Sequence, residues 1–172
     1  MNWACMLSID AQTWGILLVP NAILIAAALI RRTPAWTHAV AFSLGDLLFE
    51  IVFGYWSVFV LGQMDEKFRR APAVAFELAL MGAGVFSVLN GGLLVTSSAV
   101  GRHLFRLKSL PRGHLPISVL AGAVSAFGAQ FLYAAFGRGG AFAPLAWAWM
   151  CCFAMLYVVA LTKFAAWSSA EA

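Results

Sequence analysis

The stretch from Ala39 to Gly62, AVAFSLGDLLFEIVFGYWSVFVLG, decides the fold. Its 24 residues are apolar almost throughout, yet Asp46 and Glu50 sit inside it. A helix needs roughly 20 such residues to cross about 30 Å of hydrocarbon. The flanking loops are too short and polar to leave this segment outside a bilayer, so it reads as a span that buries two carboxylates. Strict apolar–polar alternation, which a barrel strand requires, is missing, so a helix is expected.

The same reading extends outward along the chain. Uncharged runs of 20, 24, 23 and 24 residues lie between Asp10 and Arg31, Glu77 and Arg102, His114 and Arg138, and Arg138 and Lys163. Each suffices for a crossing. The expected fold is all-α: a polytopic membrane protein with five transmembrane helices near 14–30, 38–62, 74–100, 115–136 and 143–165, forming one domain over 1–172. Composition agrees, with 63% hydrophobic and 10% charged residues against about 25% charged in soluble domains. The thirteen residues before Trp14 hold no Lys or Arg, so the first run is expected to be a span and not a cleaved leader.

Basic residues alternate between the two sides. Arg31, Arg32, Arg102, Arg106, Lys108, Arg112 and Lys163 fall on one side, against Lys67, Arg69, Arg70 and Arg138 on the other. Positive loops favour the cytoplasm. This predicts an inner-membrane protein with its N-terminus outside and its C-terminus cytoplasmic. Trp3, Trp14, Trp36, Trp56, Trp147 and Trp167 mostly lie toward span ends, as an interfacial belt requires.

Polar residues within spans are the functional candidates, because an ionisable group in hydrocarbon is costly unless it faces protein or water. Asp46 and Glu50, four apart, share a helix face with the small or polar Ala39, Ser43, Gly54 and Ser57. At about 1.5 Å per residue, Glu50 lies about 18 Å from the His38 end, near mid-membrane. Pro20-Asn21 interrupts the first span, where a lost backbone hydrogen bond is expected to break the helix and line a cavity. Asn90 and Gln130 add interior amides in the third and fourth spans. The stripes Ala83, Ser87, Gly91 and Ala121, Ser125, Ala129 have the spacing that lets helix backbones approach. A five-helix bundle shields such a polar face poorly, so a homodimer or hetero-complex with these stripes at its contacts is expected.

Other chemistries have little to build on. His38, His103 and His114 fall at one boundary as interfacial histidines without Cys or carboxylate at ligand spacing, so no metal or other cofactor is expected. Cys151-Cys152 reads as a pair of small apolar side chains. Thr96-Ser97-Ser98 lacks a nucleophile-elbow pattern, which argues against a hydrolase, and no enzyme is expected. The basic residues sit in short loops between apolar runs, so nucleic-acid binding is excluded.

The segment LLVPNAILIAAALIRRTPAWTHAVAFSLGDLLFEIVFG resembles the opening two helices of the LysE/RhtB-type exporter superfamily. The shared elements are Pro20 and Asn21 in the first helix, the basic turn Arg31-Arg32, and the Gly45-Asp46 pair in the second. MCCFAMLYVVALTKFAAW is similar to that family's fifth helix. The resemblance spans under half the chain. Val19 precedes Pro20 where the family has Gly, and SAFGAQFLYAAF lacks the family's Asn-Pro pair. The family has six spans where five are counted here.

The resemblance implies a LysE-like, proton-coupled exporter of small solutes such as amino acids or related metabolites, with Pro20, Asn21, Asp46, Glu50, Asn90 and Gln130 along a substrate or proton pathway. The five-span count and the small-residue stripes also suit a non-catalytic accessory or assembly subunit of a membrane complex.

Overall fold

The computed structural model describes residues 10–60, 71–136 and 142–168. Trp3, Cys5, Lys67, Arg69, Arg70 and Arg138 lie outside the described residues. The described chain is helical, with no strand: α1 (Ala11–Arg31), α2 (Pro34–Tyr55) continued by a π-helical turn (Trp56–Val60), α3 (Pro72–Leu104), α4 (Leu115–Phe136) and α5 (Phe142–Ser168). Five of these segments are long and apolar enough to cross a membrane, with mean hydropathy from 1.4 to 2.1. The chain is a multi-pass membrane protein.

Backbone chemistry sets the turns. Arg32 takes a left-handed conformation, φ 50°, and returns its N–H to Ala28 O, ending α1. Thr33 stays extended, and Pro34 opens α2 at its first turn, where a missing N–H costs nothing. That turn and the 105–114 loop lie at the same end of the bundle, because His38 near the start of α2 touches Pro111.

α2 is the central helix. It packs most closely on α3 and α4, while α1 lies mainly on α3, and α5 on α3 and α4. Two glycines permit the α2–α4 approach. A Cβ on Gly45 would overlap the backbone carbonyl of Val119, and one on Gly122 would overlap that of Phe42. With helices this close, small residues replace the interlocking apolar side chains of a soluble core. The glycine of the Gly45-Asp46 pair thus has a packing role of its own.

The bundle is apolar outside and polar within. Ile23, Leu29, Val52, Leu120, Phe131 and Leu156 are each more than 60% exposed, whereas Ser43, Asp46, Ser87, Asn90, Ser118 and Ser125 are buried to 2% or less. A soluble bundle has the reverse pattern. Phe42, wholly buried, anchors the centre of the apolar core against Phe153 and Tyr157, with ring centroids 6.3 and 5.7 Å away.

Two expectations, for Pro20 and for the Cys151-Cys152 pair, are corrected here. α1 runs through Pro20 without a break. The stripe residues Ala83, Ser87 and Gly91, like Ala121 and Ser125, are buried within the single chain. Their burial serves helix packing within the chain. Cys151 and Cys152 are both exposed on the outer surface of α5.

Candidate functional site

The i, i+4 row His38, Phe42, Asp46, Glu50 runs down one side of α2 and meets a different helix set at each level. Its three polar residues, together with Ser43, through which Asn21 joins α2, give four polar levels. Three of them contain the residues singled out from the sequence.

The first level joins α1, α2 and α3 through Asn21. Its Nδ2 donates to Leu17 O at 2.9 Å and to Ser87 Oγ at 3.3 Å, while its Oδ1 accepts from Ser43 Oγ at 3.1 Å. Pro20 has no N–H for Ile16 O, and α1 presses this stretch of backbone onto α3. A Cβ on Gly84 would sit 2.6 Å from Leu17 Cα and 2.7 Å from Ile16 O. Tight packing on Gly84 together with the Asn21 bonds accounts for a helix that stays continuous at its proline.

The second level lies around Asp46, which is 2% exposed. Asn90 Nδ2 donates to Asp46 Oδ2 and to Ser125 Oγ, both at 3.0 Å. Trp149 Nε1 on α5 donates to Ser125 O at 2.9 Å. Four helices therefore meet at this carboxylate or at its immediate partners.

One turn on, Gln130 Nε2 lies 3.0 and 2.8 Å from the two Glu50 carboxylate oxygens. Among the described residues, the hydrogen-bond partners of both carboxylates are neutral amides, with no cation beside either. A cavity of about 40 Å³ opens between Asp46, Glu50 and Gln130, walled by Phe86, Ala126 and Met150. It has room for about three waters. A solute of amino-acid size does not fit in this conformation.

The fourth level was read from the sequence as interfacial. His38 is instead completely buried. Its Nε2 lies 2.7 Å from Pro111 O, and its Nδ1 2.5 Å from Ser118 Oγ, which lies 2.7 Å from Tyr157 Oη. A carbonyl can only accept, so Nε2 carries a proton. In the neutral ring Nδ1 then accepts from Ser118, and Ser118 accepts from Tyr157. The chain of bonds joins α2, the 105–114 loop, α4 and α5. Only the four-residue spacing from Asp46 through Phe42 to His38 signals it in the sequence; Ser118 and Tyr157 have no local signature.

Energetically the polar stack specifies more than it stabilises. Hydrogen bonds between membrane helices contribute about 0.6 kcal/mol each on average, so close packing at Gly45, Gly84 and Gly122 carries more of the stability. The stack sets which faces meet, because any other register strands a buried carboxylate or amide. Asp46, Glu50, Asn90 and Gln130 are brought together around one cavity, while Asn21 belongs to a separate layer through Ser43 and Ser87. Among the described residues no group of three His, Cys, Asp or Glu could hold a metal ion. In comparisons with known proteins, the chain matched no family model, no curated protein and no solved structure.

Proposed function

We propose that this protein transports a small solute across the inner membrane, with Asp46 and Glu50 carrying the coupled proton. The observation that supports this reading most is the pair of carboxylates deep in one span, held by neutral amides of α3 and α4 beside a water-sized cavity. A buried carboxylate that serves structure alone is expected to pair with a cation. One that exchanges protons needs a neighbour that accommodates both of its states, and a carboxamide, which both donates and accepts, does so.

A cavity this small suits one state of an alternating-access cycle, in which separation of α2 from α4 or α5 admits solute to the carboxylates. Export of amino acids or related metabolites follows from the resemblance of the first two helices. The N-terminus is assigned outside and the C-terminus to the cytoplasm from the distribution of Lys and Arg.

Reconstitution into liposomes loaded with a pH-sensitive dye, with a panel of small solutes, tests this reading. Solute-dependent proton movement is expected. Absence of any flux, with a stoichiometric partner copurifying, would replace it with the accessory-subunit reading.

A further inference from the structure

A second cavity, of about 230 Å³, lies at the end of the bundle that bears the 105–114 loop. Arg106 and Lys108 line it from the loop, and Lys163 lines it from α5, with Thr162 and Phe105 between them. These cations come from segments more than fifty residues apart in sequence, so their meeting is a product of the tertiary fold.

The loop that supplies two of them is anchored. Leu107 returns its N–H to Gly101 O at 3.2 Å, Leu110 is buried to 2%, and Pro111 O receives the His38 bond. Arg106 holds a left-handed backbone, φ 51°, a conformation uncommon for any residue but glycine. The anchors keep like charges around one cavity, an arrangement that repels itself without an anion. Among the described residues no carboxylate offsets them: Asp10 and Glu77 lie near the opposite end, and Asp46 and Glu50 inside the bundle.

Phe105, which lines the cavity, is 62% exposed. Its chain neighbour Leu104 is 67% exposed, and on α5, next in sequence to the lining residues Lys163 and Ala166, Phe164 and Trp167 are exposed with their ring centroids 6.3 Å apart. Exposed aromatic side chains at a helix end mark the lipid–water boundary, the depth at which lipid phosphates sit. Basic pockets between membrane helices at that depth suit anionic headgroups.

We propose that Arg106, Lys108 and Lys163 form a binding site for the phosphate of an anionic phospholipid, with its acyl chains lying along Leu104, Phe164 and Trp167. Arg106 supplies a planar fork for two phosphate oxygens, and the lysines supply point charges. The site is independent of the transport reading, since it lies at the membrane face and uses none of the stacked polar residues.

The test places the full chain in nanodiscs of phosphatidylcholine with a minor share of phosphatidylglycerol, and counts retained lipids by native mass spectrometry. Wild type should keep phosphatidylglycerol selectively. At roughly fivefold per basic residue, Arg106→Gln/Lys108→Gln/Lys163→Gln should weaken retention on the order of a hundredfold. Lys163→Gln alone should weaken it about fivefold, which serves if the triple variant misfolds. Arg31→Gln/Arg32→Gln, on the α1–α2 turn of the same face, should leave it unchanged.

Equal retention by wild type and Lys163→Gln, or an equal loss in the Arg31/Arg32 control, overturns the site. Inorganic phosphate that protects wild type against heat in purely phosphatidylcholine discs as well as phosphatidylglycerol does would assign the cavity to a soluble anion, and overturn the lipid.

Discussion

Asn90 Nδ2 stands 3.0 Å from Asp46 Oδ2, and so a neutral amide of α3 holds a carboxylate of α2 inside the membrane. The same nitrogen reaches Ser125 on α4 at 3.0 Å. One side chain therefore sets the relative register of three helices at the level of the candidate site.

If Asp46 carries a coupled proton, Asp46→Asn should abolish solute-dependent proton movement while membrane abundance stays near wild type. The amide keeps the size of the carboxylate and an oxygen that Asn90 can still reach. Glu50→Gln should behave alike against Gln130. Abundance by quantitative immunoblot and flux in liposomes separate the outcomes. Normal flux in both variants removes the pair from the mechanism.

Asn90→Ala should act on folding first. It strands Asp46 and Ser125 in the interior, at about 1–3 kcal/mol for each buried group left without a partner. The thermal midpoint in mild detergent should fall, and less protein should reach the membrane. A double-mutant cycle with Asp46→Ala, which removes the acceptor, should return a coupling of about 1–2 kcal/mol, at the upper end for membrane hydrogen bonds. Strict additivity would show that the bond does not operate.

Substitutions at glycine should split by position. Gly45→Val and Gly122→Val drive a side chain into the opposing helix backbone and should lose about 1–3 kcal/mol or more, separating α2 from α4. Gly82 and Gly92 have open space where a Cβ would go. There, alanine should raise stability by roughly 0.5–1 kcal/mol, through the entropy that glycine loses in a helix. Thermal unfolding of all four variants checks the sign at each position.

His38→Ala should loosen the loop before it harms the bundle. It removes the donor to Pro111 O and the acceptor for Ser118. Trypsin cleavage at Arg106, Lys108 and Arg112 should accelerate, and the amide of Leu107 should exchange faster with solvent. Tyr157→Phe deletes one hydroxyl at the end of the chain and should cost about 1 kcal/mol, with a smaller rise in cleavage. An unchanged cleavage pattern in His38→Ala would show that Leu110 alone secures the loop.

Much of this protein could be read from order and composition alone. Apolar runs of membrane length, four of them uncharged and one carrying Asp46 and Glu50, marked the five helices to within a few residues, except that α3 continues to Leu104 and α2 begins at Pro34. Hydropathy is additive along a run, and a spanning helix satisfies its own backbone, so neither property needs to know its neighbours. Asp46, Glu50, Asn90 and Gln130 stood out because a polar residue is conspicuous in an apolar run.

Which polar residues pair was settled only in three dimensions. Asp46 meets Asn90, 44 positions away, and Glu50 meets Gln130, 80 positions away; nothing local distinguishes these partners from other interior amides. Pro20 suggested a broken helix, yet α1 stays continuous, because close packing on Gly84 and the bonds of Asn21 hold it in place. His38 suggested a surface residue, since the cost of burying an imidazole depends on whether Pro111, Ser118 and Tyr157 arrive to bond it. Helix existence is a property of the segment, whereas pairing depends on crossing geometry, and at Gly45 and Gly122 that geometry rests on the absence of side chains.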